Sequence, residues 1–470
     1  MLPDEVLLEV FDFWTRTDWD LDWDHIEEWH TVVHVCQRWR QIAFASPSRL
    51  DLQLLCKPGT PVRKYLGIWP PLPISIDYHV ERSTITPDDE DNIVAALEHP
   101  YRVLVVKLDL TGSLWEKMAA AIQEPFPVLT FLNLYSEDKN IPIFPTKFLG
   151  GLASRLQEIH FHGIPFPALP TLLLSTGDLR WLDLNEIPPT GYISPEVMVA
   201  CLAALPRLDY FCLGFRLVTS RPNQIRPSPI TRTVLPTLTS FKFKGASEYL
   251  EDLVAQIKSP KLDWFSINYF NQFIDFQVGQ LSKFISSSLG RELTLFKHAS
   301  IVFSRTEISF YIHSQVHDTR RPFSKSCNIL CEGIDWQVSH MAQVLSHFSA
   351  TLSHVTHLKL ELELQKGRQL LEGADDAEWQ LLLHRFSAVQ TLHVSQNLAG
   401  YIARTLEDMP AGRMFTDALP SLDLLYLEGQ PESSVEEFVT ARQLSDRPVT
   451  IVDTKTEFYR HLGRIIDGLA

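Results

Sequence analysis

Along most of the chain apolar residues recur in one short pattern, L-x-x-L-x-L with apolar swaps. It runs through Val105/Leu108/Leu110, Leu129/Leu132/Leu134, Leu156/Ile159/Phe161, Leu179/Leu182/Leu184, Leu208/Phe211/Leu213, Leu238/Phe241/Phe243 and Leu262/Phe265/Ile267. After a gap it returns at Val355/Leu358/Leu360, Val389/Leu392/Val394 and Leu422/Leu425/Leu427. Successive first positions lie 24, 27, 23, 29, 30 and 24 residues apart, then 93, then 34 and 33. Alternation inside each hexad predicts a strand with one buried face, and the period predicts a stack of like units. Pro127, Pro206, Pro236, Pro260 and Pro420 stand two places before a first position, where proline stops the preceding helix and biases its neighbour to extended geometry. The expected fold class is therefore α/β, a solenoid of parallel strands with helices or loops on the convex side over residues 74–453. The 93-residue gap leaves room for three more units. In it SIVFS and EISFYIHS read as strands, either two stacked repeats or one hairpin, and DWQVSHMAQVLSHF reads as an amphipathic helix.

Before the repeats the period is helical. Val32, Val35, Cys36, Trp39, Ile42 and Ala43 recur at steps of three and four, which predicts one helical face between Trp29 and Leu50. Gln37, Arg38, Arg40 and Gln41 fall on the other face. LPDEVLLEVFDFW predicts a second short helix, with Pro3 in its first turn and Asp4 and Glu5 at its positive end. Two short helices cannot bury so much apolar surface alone, so the element requires a partner. The expected organisation is a helical module over residues 1–55 with an acidic, Trp-bearing loop inserted at 15–28. A Pro-rich linker at 56–73, the repeats, and a capping helix at 454–470 follow. That last helix is read from the stripe Phe458, Leu462, Ile465, Ile466 and Leu469. The acids Asp88 to Asp91 follow Thr86 and Pro87 at a helix start, where the helix dipole explains them better than a metal does. The Arg- and Pro-bearing stretch 218–235 reads as a solvated loop.

Charge and composition narrow the function. The net charge of −15 argues against nucleic acid, since phosphate contacts need clustered Lys and Arg. No run approaches the ~18 apolar residues of a membrane span, and acids stand near Met1 where a signal peptide has basic residues. Six scattered cysteines fit neither a disulfide framework nor a zinc site, so a reduced cytoplasmic and/or nuclear protein is expected. No phosphate loop, H-E-x-x-H or G-x-S-x-G occurs. His160 and His162 lack a third ligand at motif spacing, and Cys327 and Cys331 stand in a strand-like context where buried thiols are the default. The expectation is a protein that is not an enzyme and uses no cofactor and no metal.

The Leu-Pro opening, the Glu two residues on, an apolar-Phe pair and Val-Cys-x-x-Trp resemble the F-box, the adaptor-binding module of SCF ubiquitin ligases. The hexads resemble an irregular leucine-rich repeat domain, although the Asn/Cys position three after the last Leu is filled only by Asn397. With EWQLLLHRF and FVTARQLS, the chain looks like a large group of fungal F-box proteins. The resemblance implies a substrate-recognition subunit that binds the SCF adaptor, and through it a cullin, and holds a substrate protein on the repeats. On the motif positions it implies adaptor contacts at Leu2, Pro3, Glu5, Leu8, Val10, Phe11, Val35, Cys36, Trp39 and Arg40. The alternative is a repeat scaffold whose first helices merely cap the solenoid. By period two, Phe131, Tyr135, Trp181, Tyr210 and Trp264 face outward from the strands. As aromatics on a concave surface they are the expected substrate site.

Overall fold

The computed structural model describes residues 2–15, 29–47, 49–79, 85–109, 111–138, 143–216, 231–270, 278–289, 296–313, 325–330, 334–363, 376–407, 419–429 and 432–452. The chain forms two compact units, Met1–Arg216 and Leu217–Ala470. The expected capping helix at 454–470, most of the 15–28 insert and most of the 218–235 loop lie outside the described residues.

The first unit opens with α1 (Asp4–Thr15), α2 (Trp29–Val35) and α3 (Gln37–Ala45). The single helix expected from Trp29 onward is thus two. Cys36 interrupts it in extended geometry, φ −159° and ψ 169°, and its Sγ accepts from the Trp39 N–H at 3.4 Å. A helix start leaves amide donors orphaned, and a side-chain acceptor at the cap satisfies one of them. The break changes which residues share a face. Val32, Val33, Ile42 and Ala43 pack inward with Leu7 and Phe11, whereas Val35 and Cys36 turn to solvent. The helical core continues onto Leu50, Leu52, Leu72 and Trp69, so these helices close the first end of the strand array.

Seven strands follow in sequence order: β1 (Leu54–Cys56), β2 (Ile74–Tyr78), β3 (Val103–Asp109), β4 (Phe131–Tyr135), β5 (Glu158–His162), β6 (Trp181–Ile187) and β7 (Tyr210–Phe215). Each pairs parallel with the next. The stretch read as an irregular linker holds the end of β1 and a short helix, α4 (Val62–Leu66). Because β1 is buried at every position, its residues carry no alternation to mark a strand. The first hexad is also displaced. Val106 pairs with Leu132 and Leu108 with Leu134, so the inward triplet is Val103/Val106/Leu108, two residues before the frame Val105/Leu108/Leu110. Apolar residues fill both frames of VLVVKLDL, and only the hydrogen-bond register chooses between them. After β2, α5 (Pro87–Leu97) starts in a capping box made by Thr86 and Asp89. The Asp89 carboxylate accepts from the Thr86 N–H at 3.0 Å and the Gly59 N–H at 3.1 Å. Burial pushes its carboxyl up, but a hydrogen bond from the Thr86 hydroxyl, these two N–H bonds and one from Tyr78 outweigh that and hold it below its ordinary value.

The second unit carries a small parallel pair, β8 (Thr233–Val234) with β10 (Ile257–Lys258). It also carries β9 (Ser240–Gly245), β11 (Trp264–Tyr269), β12 (His298–Phe303), β13 (Glu307–His313), β14 (Lys325–Leu330), β15 (His357–Leu362), β16 (Thr391–Val394), β17 (Leu424–Leu427) and β18 (Thr450–Val452). Their spatial order is β9-β11-β14-β13-β12-β15-β16-β17-β18. SIVFS and EISFYIHS are therefore a hairpin: β13 runs antiparallel to both β12 and β14, while β11–β14 and β12–β15 are parallel. The space for three repeats is filled by a meander, and its inward row stays continuous through Ile267, Cys327, Phe310, Ile301, Leu360, Val394 and Leu427. Returning helices pack on that buried side. Glu251 caps the helix Gly279–Leu289 by accepting from the Gln280 and Leu281 N–H groups at 2.6 and 2.8 Å. The expected amphipathic helix is Ile334–Ser346. Among the described residues no helix is long and apolar enough to cross a membrane.

Strand alternation has a direct consequence on β9, where Phe243 is fully buried and Lys242 faces the open side. Phe243→Ala is expected to cost about 3–5 kcal/mol, and Lys242→Ala to stay within about 0.5 kcal/mol. Denaturant unfolding measures both, and equal losses would mean that the two faces of β9 are wrongly assigned.

Candidate functional site

Two surfaces of the first unit combine exposure with chemistry suited to a protein partner. The first belongs to the N-terminal helices. α1 is apolar on two sides, and a helix with two apolar sides needs two partners. Leu7 and Phe11 fill the inward side, where the Phe11 ring lies 4.9 Å from that of Trp39. On the other side Val6, Val10 and Phe13, at helical spacing, are 42, 48 and 73% exposed. Trp14 is exposed beside them, and Leu2 precedes them. Val35, 59% exposed, and Cys36 also face solvent, just ahead of Arg38. Its guanidinium donates to the Leu2 carbonyl at 2.6 Å and to Asp4 Oδ1 at 2.5 Å, tying the start of α3 to the start of α1. An ion pair this exposed is worth only about 0–1 kcal/mol, so its effect is on position.

Of the positions expected to bind an adaptor, Leu2, Pro3, Glu5, Val10, Val35, Cys36 and Arg40 are exposed, and Leu8 and Trp39 are half-buried. Phe11 is 1% exposed and serves the module's own core. Arg40 Nε also donates to the Val33 carbonyl at 2.9 Å, satisfying an acceptor at the end of α2. Val6, Phe13 and Arg38 were not among the expected residues. The spacing of Val6, Val10 and Phe13 carries the signal for the first two. Arg38 has none, because it sits on the polar side of a helix that reads as unbroken.

The second surface is the open side of β2–β7. Strand register brings Phe131, Glu158, Trp181 and Tyr210 into line across four adjacent strands, and the ring of His160, two residues on from Glu158, comes in between Phe131 and Trp181 to complete an aromatic row. Ring centroids are 5.3 Å apart for Phe131–His160, 6.0 Å for His160–Trp181 and 3.8 Å for Trp181–Tyr210, the last pair nearly parallel at 8°. Trp181 is 36% exposed and the other members are half-buried. His160, which in the sequence stands out only as half of a histidine pair without a third ligand, fills the gap between Phe131 and Trp181. Tyr135 stands two outward positions along β4 from Phe131, stacked on His162 at 4.5 Å, and donates its hydroxyl to Glu137 at 2.6 Å. Trp264 lies on β11 of the second unit, half-buried in register with Ser240. The observed stack is therefore drawn from β4–β7.

Carboxylates flank the row. Glu158 Oε2 is 3.4 Å from His160 Nε2, and Asp183 Oδ2 is 3.8 Å from its Nδ1. Asp77 pairs with Lys107 at 3.2 Å, and Asp109 meets His79 at 2.6 Å. Burial, followed by the nearby Cys212 and Asp183, pushes the Tyr210 phenol far up, so it stays a neutral donor. Burial likewise pushes the Cys56 and Cys327 thiols to about 12 and that of Cys201 to about 11. Such thiols are poor nucleophiles, since the thiolate is the reactive form. Cys331 lies outside the described residues. Among the described residues no group of three or more His, Cys, Asp or Glu is placed to hold a metal ion.

Burial lowers His162 below its ordinary value, and Arg216 adds to this, against the opposing pull of Glu186, Asp183 and Glu137. The folded protein therefore binds fewer protons than the unfolded chain just below about pH 6.5. The stability this represents is complete above that pH and drains as pH falls through the folded value. Melting temperature is expected to drop between about pH 7 and about pH 5, and to drop less in His162→Gln; equal drops would remove His162 as a cause. No protein-family model matches this chain, and no curated protein matches it in sequence.

Proposed function

We propose that this chain is a substrate-recognition subunit of an SCF-type ubiquitin ligase. The N-terminal helices bind the small adaptor, and through it a cullin, while the repeat strands hold the protein to be modified. The ubiquitin-transfer chemistry then belongs to other subunits, in the cytoplasm and/or the nucleus, and this chain needs no catalytic residue, metal or cofactor. One observation carries the reading: α1 spends Leu7 and Phe11 on the chain's own core and still presents Val6, Val10 and Phe13 to solvent. Exposed apolar patches of this kind mark partner surfaces.

A second reading has its own support. The helical core runs onto Leu50, Leu52 and Leu72, as expected of a cap at the end of a repeat scaffold. A cap accounts for the inward side of α1 and leaves the outward side without a purpose.

The test separates the two sides. Val10→Glu with Phe13→Glu is expected to reduce recovery of the adaptor at least tenfold in co-purification while the melting temperature holds, since a charge in the core of an interface is left unpaired. Phe11→Ala, by contrast, is expected to destabilise the module itself by about 3–5 kcal/mol. Undiminished adaptor recovery from the Glu variant would leave the cap reading standing.

A further inference from the structure

We infer that the open side of β2–β7 recognises an extended, arginine-bearing segment of a partner protein. The inference rests on the proposed role of the repeat strands as the partner-binding part and adds the chemical class of what they bind.

Three features of this surface point the same way. Counting histidines as neutral, the outward positions in regular register hold four carboxylates (Asp77, Asp109, Glu158 and Asp183) against the ammonium of Lys107, and near His162 Arg216 and Glu186 offset one another at 4.0 Å. Lys107 is already engaged by Asp77, which leaves Glu158 and Asp183 beside the aromatic row and Asp109 beside Tyr135. Secondly, those carboxylates meet imidazoles rather than permanent cations: Asp109 faces His79, and Glu158 and Asp183 face His160. An incoming cation does not have to displace a strong ion pair to reach them. Thirdly, Phe131, His160, Trp181 and Tyr210 form a continuous aromatic strip beside these carboxylates, stacked largely on one another, with Lys107 over the Phe131 ring and Trp181 the most exposed member. A planar guanidinium packs against an exposed indole and can at the same time donate paired hydrogen bonds to a carboxylate, which a lysine ammonium cannot do as well.

Charge complementarity selects the occupant. An anionic ligand, nucleic acid included, would meet like charge on this surface and on the chain at large, whose net charge is −15. An acidic partner is disfavoured for the same reason, and a purely apolar one would leave the carboxylates desolvated.

The experiment uses the intact chain and fluorescent peptides of alternating Gly-Arg, Gly-Gln and Gly-Glu, followed by anisotropy. Binding is expected for Gly-Arg alone and should weaken as salt is raised. Glu158→Gln with Asp183→Asn, and separately Trp181→Ala, should each weaken it about tenfold or more at unchanged melting temperature. Equal binding of Gly-Glu or Gly-Gln, or undiminished binding by both variants, would overturn the proposal. So would spermine competing as well as the Gly-Arg peptide, because the surface would then be a simple cation exchanger. Binding of Gly-Arg that emerges only after deletion of residues 217–230 would assign the surface to the chain's own Arg221 and Arg226 and overturn an external partner. Adaptor recovery does not enter any of these readouts, so failure of the ligase reading and failure of this one are separable.

Discussion

Parallel register is the constraint on which the rest depends. Between the irregularity at Ile74/Ser75 in β2 and the one at the end of β6, each strand of β2–β7 sits beside the next without slipping a residue, so Ile76, Val106, Leu132, Ile159, Leu182 and Phe211 form one inward row. Side chains alternate along a strand, so a slip of one residue would send the whole row to the open side. Burial of the row therefore protects the open side as well. Phe131, His160, Trp181 and Tyr210 stack only because their apolar neighbours hold the strands in register.

The second unit keeps this constraint while breaking the repeat. Its antiparallel strand β13 lies between β12 and β14, yet Phe310 continues the inward row between Cys327 and Ile301. Reversing a strand changes the hydrogen-bond pattern but leaves the period of two intact. A meander can thus replace repeats inside an otherwise parallel array without exposing core, and the parallel pairing resumes at β15.

In the first unit the N-terminal helices meet two demands. They pack on Leu50, Leu52 and Leu72, just ahead of β1 and β2, and they keep an apolar side of α1 outward. The break at Cys36 reconciles the two. An unbroken helix would carry Val35 on the same side as Val32 and Ile42, toward the core. With α3 restarted at Gln37 and tied to α1 by Arg38, Val35 and Cys36 face solvent instead.

How much of this was legible in the sequence follows the range of the physics. Period-two and period-3.6 patterns are local, so ten strands, the Thr86 cap and the α/β class could be read from residue order, as could the outward placement of Trp181 and Tyr210. The choice between frames that are equally apolar was not local. The two-residue shift at Val103, the strand at Leu54–Cys56 and the hairpin at His298–His313 were settled by hydrogen bonds to neighbours distant in sequence. The sites divide in the same way. That Phe131, Trp181 and Tyr210 face outward is a matter of parity along each strand. That His160 joins them, that Phe11 turns inward and that Arg38 binds α3 to α1 depend on what packing brings alongside, which no single stretch of sequence contains.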